Sequence, residues 1–295
     1  MTLIEFQENF GTEEQCRKYL FEKRWSTGFI CPKCKHNDYF NIICRHLYQC
    51  KACNHQASVT AGTIMDKTRT PLVKWFLALH LMSEDKRGIS ALSLKSKIGV
   101  SYNTAWTMCH KIRYAMGKRD ENYKIGGIVE LDDAFFGASS SGGKRGRGTE
   151  KTVVLVSLSL SEKGKPCYAK MEVVDNVNGE TVTKFAKEKI TLGSEIRTDG
   201  FSTYSVLKEQ GYSLTKKKHD PKKDPKHLHW THIIISNAKA FVNGTYHGLA
   251  AIHLQRYLDE FCYRLNRRWK ADSIFTKLLD ACVGAGKINN YELVG

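Results

Sequence analysis

GGIVELDDAFFG, residues 126–137, predicts a β-strand with acidic side chains in its middle. Charged groups are costly to bury in a sheet unless they are paired or bind a metal. Successive side chains of a strand point to opposite faces, so Glu130 and Asp132 share one face while Asp133 lies with Leu131 on the other. This stretch therefore predicts both a sheet and a cation site.

The segments that follow predict an α/β domain. Two further strands, over 151–160 and 165–176, are separated by the turn sequence SEKG. The sequence GETVTKFAKEKI is typical of a helix, and a short strand then ends at Asp199, before a glycine. Strands followed by helix, strand and helix predict a layered α/β domain, which we place over residues 121–270.

Asp132 and Asp199 are the candidate ligands of a catalytic metal. Acids at neighbouring strand ends repel each other, and a divalent cation removes that cost. Mg²⁺ or Mn²⁺ between two carboxylates can activate a water or a DNA 3′-hydroxyl and stabilise the leaving oxygen. Glu130 and Asp133 are not expected to bind the metal, and each is expected to pair with a nearby cation. For any one acid alone, a solvated strand end is the alternative.

The overall charge favours a nucleic acid as partner. The chain of 295 residues has 46 Lys+Arg and 30 Asp+Glu, a formal net charge of +16. Such an excess is typical of proteins that bind polyanions, so DNA or RNA is the predicted partner. No run of about 18 apolar residues predicts a membrane span, and the acidic N-terminal segment lacks the apolar centre of a signal peptide. A cytoplasmic protein without membrane contact is expected.

Four cysteines predict a zinc ribbon over residues 26–62. Two C-x2-C pairs separated by fifteen residues can place four thiolates tetrahedrally around Zn²⁺. Such a site has no open position for chemistry, so the zinc is predicted to be structural. The predicted ligands are Cys31, Cys34, Cys50 and Cys53. Three nearby residues are expected not to bind, because the tetrahedron is already complete: Cys44, His46 and His55.

Residues 63–120 predict a helix-turn-helix domain, after an N-terminal helical segment over 1–25. A helix is expected to start with Pro71 in its first turn, and the sequence IGVS predicts a tight turn before a longer helix capped by Ser101. Polar residues near the start of that helix can reach base edges, and cations can bind phosphates. The predicted DNA contacts are Asn103, Thr104, Thr107 and Lys111, with His110 and Arg113 further along. A helical linker bundle is the alternative.

The order of these blocks resembles a bacterial insertion-sequence transposase of the ISXO-like group. Zinc ribbon, helix-turn-helix, ELDDAFFG, RTDGFSTY, NGTYHG and HLQRYLDEFCYRLNRR follow one another over about residues 15–270. The resemblance implies a ribonuclease-H-like catalytic domain of the DDE type, with Asp132 as the first catalytic aspartate and Asp199 as the second. It also implies a homo-oligomer near the bacterial nucleoid that binds double-stranded DNA, both the element ends and the target.

The third catalytic position departs from the family pattern. Family members usually have a helical Glu seven residues before Lys or Arg, and some have Asn instead. Here no acid lies between Trp230 and Gly248. If Lys239 is the basic residue, His232 lies seven residues before it and on the same helical stripe. Periodicity thus favours His232, whereas the family's use of Asn favours Asn237, and both stay candidates. The Ile run beside them is also compatible with a strand.

Several basic residues are expected to contact DNA phosphates. Lys144, Arg145 and Arg147 lie in a Gly/Ser-rich stretch, and Lys239 lies on the third-position helix. A solvated linker is the alternative for the Gly/Ser-rich stretch. Three arginines of the last block are expected to face DNA or solvent, namely Arg264, Arg267 and Arg268. Residues 271–295 are expected to form a C-terminal tail.

The sequence therefore predicts a transposase that binds terminal inverted repeats, cleaves DNA and transfers strands. Because the third acid is missing, a DNA-binding regulator on a catalytically inactive transposase scaffold is the alternative. A metal-dependent nuclease that does not join strands is a second one.

Overall fold

The chain divides into two compact units in the computed structural model, Met1–Arg119 with Lys270–Gly295 (unit 1) and Asp120–Trp269 (unit 2). The structure describes residues 1–137, 151–218, 224–246 and 248–294. The helices in these ranges are α1 (Leu3–Phe10), α2 (Glu13–Arg24), α3 (Leu72–Glu84), α4 (Ala91–Ile98), α5 (Tyr102–Glu121), α6 (Gly179–Lys189), α7 (Val206–Glu209), α8 (His229–Thr245), α9 (Leu254–Leu265), α10 (Ile274–Gly284) and α11 (Asn290–Val294). The strands are β1 (Tyr39–Ile42), β2 (Leu47–Cys50), β3 (Gln56–Ala57), β4 (Ile128–Phe136), β5 (Thr152–Leu160), β6 (Pro166–Val174), β7 (Glu195–Thr198) and β8 (Ser213–Lys216). None of the described helices has the length and hydropathy needed to cross a bilayer.

The N-terminal part of unit 1 joins two capped helices to a small sheet. The predicted helical segment forms α1 and α2, each opened by a capping box. Strands β1, β2 and β3 form an antiparallel sheet. An aromatic cluster packs α2 and the following loop against this sheet and consists of Phe21, Trp25, Phe29, Tyr39 and Tyr48. Apolar packing thus supplements the metal that so short a ribbon requires.

The C-terminal residues of unit 1 do not form the predicted tail. Residues 271–295 contain α10 and α11, and α10 packs against α3. The ring of Phe275 lies 6.1 Å from that of Phe6 and 5.5 Å from that of Phe10. The amide of Ile64 donates to the carbonyl of Cys282 at 3.4 Å. The apolar face of α10 therefore completes the core of unit 1.

Helices α4 and α5 and the short turn between them form as the sequence predicts. Gly99 ends α4 with φ +62°, a conformation that glycine adopts without strain. Ser101 Oγ then accepts a hydrogen bond from the Thr104 amide at 3.1 Å. Pro71, however, precedes α3 instead of lying in its first turn. The role of this helix pair in DNA binding stays a prediction.

Two predicted phosphate contacts on α5 are wrong. His110 and Arg113 are both buried, because most of the middle of α5 is buried around the helix, including Cys109 and Ile112. The His110 ring stacks on Trp106 at 3.9 Å. A cation without access to solvent cannot reach a DNA backbone.

Unit 2 is built on a five-stranded mixed sheet within the predicted α/β domain. Its strand order is β6-β5-β4-β7-β8, in which β4, β5 and β6 are antiparallel while β7 and β8 run parallel to β4. Helices α8 and α9 cover one face, on which Ala134 and Phe136 of β4 are buried. Helix α6 covers the other face, on which Val129 and Leu131 are buried. The alternation predicted for β4 is therefore confirmed.

The cations of the HLQRYLDEFCYRLNRR block serve the fold, so the prediction that they face DNA or solvent is wrong. Arg264 Nη2 donates to Glu260 Oε1 at 2.7 Å, one turn earlier on α9. Arg267 Nη2 donates to Asp120 Oδ1 at 2.6 Å. Arg268 binds the carbonyls of two β6 residues, at distances of 2.5 and 2.9 Å. Arg267 and Arg268 thus connect the end of α9 to distant segments of unit 2, while Arg264 pairs within the helix.

The buried Asp259 on α9 should make the protein less stable as the pH rises. Its side chain is 15% exposed and accepts from Gln255 Nε2 at 2.8 Å. Burial raises the pKa of Asp259 to about 7 from an ordinary value of 3.8. The folded state thus favours the neutral acid, so its contribution to stability is full at low pH and is lost as the pH rises from about 4 to 7.

We expect the free energy of unfolding of the wild type to fall by about 2 kcal/mol more than that of Asp259→Asn between pH 5 and pH 8. Urea unfolding of both full-length proteins at the two pH values measures this difference. Parallel pH dependences would show that Asp259 is charged in the folded protein at pH 5.

Candidate metal centre and active site

Two knuckles of the same backbone geometry present the predicted zinc ligands. The amide of Lys35 donates to the Cys31 carbonyl, and the amide of Asn54 donates to the Cys50 carbonyl, both at 3.0 Å. Lys35 and Asn54 have φ values of +65° and +56°, which turn the chain sharply after each pair of cysteines. The repeated geometry directs the cysteine side chains of both knuckles to one point.

The four sulfur atoms fit a tetrahedral zinc ion. Cys31 and Cys53 have their Sγ atoms 3.6 Å apart, and those of Cys34 and Cys50 are 3.5 Å apart. Zn–S bonds of about 2.3 Å require S···S distances of about 3.8 Å in a tetrahedron. Among the described residues, these cysteines are the one group of three or more His, Cys, Asp or Glu with ligand atoms within 4.8 Å of one another. That group excludes Cys44, His46 and His55, as predicted.

We expect one zinc ion per chain, bound by these four thiolates. Cys50→Ser should lose the zinc, because it removes a buried ligand, whereas Cys44→Ser should keep it, because Cys44 is exposed and outside the group. Elemental analysis and hydrogen exchange of residues 31–57 would measure both. Zinc retained by Cys50→Ser, or lost by Cys44→Ser, would contradict this ligand set.

The sheet of unit 2 brings Asp132 and Asp199 side by side. The parallel pairing of β4 with β7 ends at Leu131 and Thr198, so Asp132 and Asp199 are the next residues on two adjacent strands. Neighbouring strands lie about 4.8 Å apart. Asp199 Oδ1 accepts from the Phe201 amide at 3.1 Å, which fixes the turn after β7. Two acids far apart in the sequence are thus brought to adjacent positions where β7 ends.

Helix α8 adds His232 to this pair. His232 Nε2 lies 3.2 Å from Asp132 Oδ2, with exposed side-chain fractions of 40% and 13% respectively. The hydrogen bond to Asp132 raises the pKa of His232, and the charges of Glu130 and Asp199 add to that effect. Asn237, the other candidate, is exposed.

The third-position segment is a helix, so the alternative of a strand is wrong. Its buried residues Ile234, Ala238 and Phe241 recur at helical intervals and face the core shared with α9. Lys239 is half-buried, with its Nζ 5.7 Å from the centre of the Phe136 ring. Burial and the charge of Lys151 lower the pKa of Lys239, while Asp132 opposes the shift. The basic residue of the predicted stripe therefore lies in the electrostatic surroundings of Asp132.

Glu130 binds a helix, which corrects the expectation that it pairs with a cation. Its carboxylate is 2% exposed. Oε2 accepts from the Thr231 amide at 3.0 Å and from the Thr231 hydroxyl at 2.7 Å. Thr231 lies in the first turn of α8, immediately before His232. The partners of Glu130 are thus the amide and the hydroxyl of Thr231, which sequence patterns do not reveal.

Asp133 accepts a hydrogen bond from a phenol, where a cation was expected. Its Oδ1 lies 3.0 Å from the hydroxyl of Tyr204, a fully buried residue of the α6 side. Burial raises the pKa of Tyr204 well above its usual value, and Asp133, Asp132 and Asp199 add to the shift. Tyr204 therefore stays protonated and donates beneath the two candidate metal ligands.

The donor set of Asp132, Asp199 and His232 suits a divalent cation by its chemistry. Carboxylate oxygens are the ligands of Mg²⁺ and Mn²⁺, and an imidazole nitrogen is accepted by Mn²⁺. The ligand atoms of these three residues do not all lie within 4.8 Å of one another, as the sulfur atoms of the ribbon cysteines do. Instead, His232 contacts Asp132 directly.

The predicted DNA contacts of α5 line a cleft within unit 1. Asn103, Thr104, Thr107 and Lys111 border a volume of about 530 Å³, together with Lys67 and Lys287. Burial lowers the pKa of Lys111, and Asp66 opposes this. The predicted contacts of Lys144, Arg145 and Arg147 lie outside the described residues.

Two segments of the chain match domain families of known transposases. Residues 11–56 match a transposase zinc-ribbon domain, and residues 124–266 match the ISXO2-like transposase domain. Over 222 residues the chain is 25% identical to an uncharacterized protein in the transposable element ISH50 of Halobacterium salinarum, covering 68% of this chain and 72% of that protein. Such a ribbon followed by such a domain is the arrangement of an insertion-sequence transposase. The two matches together identify the chain as an insertion-sequence transposase with an N-terminal zinc ribbon.

Similarity to solved structures is weaker. The Mos1 strand transfer complex matches with a TM-score of 0.30 and 10% identity, over 73% of this chain and 79% of that one. The Mos1 mariner paired end complex with Mn has the same TM-score and identity, over 72% and 78%. Values of this size assign no role to any residue of this chain.

Proposed function

We propose that this transposase cleaves DNA at the ends of its element and joins the freed 3′-hydroxyls to target DNA, with Asp132, Asp199 and His232 at the catalytic centre. The observation that carries the proposal is the position of the two aspartates beside each other on parallel strands, with His232 against Asp132. The strand order of unit 2 supports a ribonuclease-H-like domain of the DDE type.

Each polar residue of the site has a task in this proposal. Asp132 and Asp199 would hold Mg²⁺ or Mn²⁺, and His232 would be the third ligand. When bound, the metal activates the attacking hydroxyl and stabilises charge on the leaving oxygen. Lys239, in the electrostatic surroundings of Asp132, would bind a phosphate next to the cleaved one. Catalysis then consists of positioning and charge neutralisation, without a covalent protein nucleophile.

DNA ends would be recognised by unit 1. We assign binding of the terminal inverted repeats to the ribbon (26–62) and to the helix pair within residues 63–120. The three lysines at the α5 cleft, Lys67, Lys111 and Lys287, suit phosphates. Joining two ends to one target requires two catalytic centres, so a homo-oligomer on DNA is part of the proposal.

The test is a cleavage assay with linear DNA that carries the element ends. Incubation of the full-length protein with Mg²⁺ or Mn²⁺ should give nicks at the end of the element and joined products with target DNA. The matched control has shuffled terminal repeats and should be neither bound tightly nor cut. Specific binding without cleavage under either metal would favour a regulator, and cleavage without joining would favour a nuclease.

A further inference from the structure

We propose that Glu130 is a positioning residue, which places the third metal ligand by capping helix α8 from the neighbouring strand. The inference rests on the proposed function in taking His232 as that ligand. Glu130 Oε2 accepts from both the amide and the hydroxyl of Thr231, at 3.0 and 2.7 Å. The proposed reaction gives Glu130 no role, although this residue is a buried acid in the middle of β4.

Helix α8 begins without a cap of its own. Leu228 precedes the helix, has φ +54°, and provides no capping side chain. The first amides of a helix lack partners within it, and the positive end of the helix dipole favours an anion. The carboxylate of Glu130 therefore supplies what a Ser, Asp or Asn before the helix would normally provide. In turn, Thr231 satisfies a buried charge that would be strongly unfavourable alone.

Two adjacent contacts then fix the same turn of α8 to the same strand. Glu130 and Asp132 lie two residues apart on one face of β4, about 7 Å along the strand. Their partners Thr231 and His232 are consecutive on the helix. Without the Glu130 contact, the Asp132–His232 pair would be the one left of these two contacts at the first turn of α8. Metal binding requires that imidazole to leave its direct hydrogen bond with Asp132 while staying close to it, so the second contact sets its position.

The first test needs no metal and no DNA. Hydrogen exchange of residues 229–236 in metal-free, full-length protein should be about 5-fold faster or more in Glu130→Ala than in wild type. Glu130→Gln keeps an acceptor and should show a smaller change. Thr231→Val removes only the hydroxyl donor, so its exchange rate should lie between those of Glu130→Ala and Glu130→Gln. Thr231→Ser keeps the hydroxyl and should exchange at the wild-type rate. Unchanged exchange in Glu130→Ala would overturn the proposal.

The second test asks whether Glu130 acts through His232. Glu130→Ala should raise the Mg²⁺ or Mn²⁺ concentration for half-maximal cleavage about 10-fold, because a displaced ligand binds metal more weakly. The matched control is Asn178→Ala, which removes the N-cap of α6 in the same unit. Asn178→Ala should destabilise its helix about as much as Glu130→Ala destabilises α8. The metal requirement of this control should nevertheless stay that of wild type.

A double variant completes the argument. In a His232→Ala background, Glu130→Ala should raise the metal requirement no further, since the ligand that it positions is already absent. The proposal would be overturned if the effects of His232→Ala and Glu130→Ala on the metal requirement multiplied. It would also be overturned if Asn178→Ala raised the metal requirement as much as Glu130→Ala does. If the wild type cleaves no DNA with either metal, the proposed function fails, while the exchange measurements still decide whether Glu130 holds α8.

Discussion

Asp132→Asn and Asp199→Asn should each abolish strand cleavage while leaving the binding of element ends intact. Each removes one of the two carboxylates that the pairing of β4 with β7 brings to adjacent positions. Metal stabilisation of transition-state charge amounts to several kcal/mol, so we expect losses on the order of 1,000-fold or more. Single-turnover cleavage of a labelled end measures the loss, and a gel-shift titration measures binding.

The strand itself provides the control for this prediction. Asp133 follows Asp132 but points to the opposite face, where it accepts from the Tyr204 hydroxyl. In Asp133→Asn the amide oxygen can still accept that hydrogen bond, so substantial activity should remain. Wild-type cleavage by Asp132→Asn would show that the acids of β4 serve another purpose and that the catalytic assignment is wrong.

His232→Ala should lower cleavage on the order of 100-fold, far more than Asn237→Ala. The imidazole of His232 contacts Asp132, whereas Asn237 is exposed on the same helix. Because both substitutions favour helix formation equally, any difference between them reflects the site and not α8 itself. His232→Glu restores the residue usual in the family and should retain more activity than His232→Ala.

The ranking of the two alanine variants is measured at saturating metal and again across a metal titration. A ligand effect should appear in both the rate and the metal requirement. If Asn237→Ala proves the more damaging variant, Asn237 is the third ligand, and the contact of His232 with Asp132 belongs only to the metal-free protein.

Local patterns predicted most elements of the fold. The spacing of the cysteines specified the ribbon, because the required S···S distances leave few arrangements. Alternation in β4 correctly assigned Glu130 and Asp132 to one face, since both contact α8. The predicted turn at Gly99 and the predicted cap at Ser101 are also present. These features depend on neighbours within a few residues, which a sequence displays directly.

Partners that are distant in the chain could not be predicted. Arg267 binds Asp120, which lies 147 residues earlier, and Glu130 binds Thr231, which lies 101 residues later. The acids were expected to pair with cations, and the arginines were expected to face DNA or solvent. A sequence shows the charge of each side chain but not its distant partner. The burial of His110 and Arg113 shows the same limit. The α10 helix was open to prediction, because Phe275, Leu278 and Leu279 recur at helical spacing.

The packing of α10 on α3 also makes the order of synthesis matter. The first 119 residues leave the ribosome well before α10, since about 150 residues are translated in between. At typical rates that interval lasts roughly 8 to 30 seconds. During it, the surface around Phe6 and Phe10 that will receive Phe275 has no cover. A polypeptide that ends prematurely never completes this unit, so truncated products should be poor competitors for the element ends.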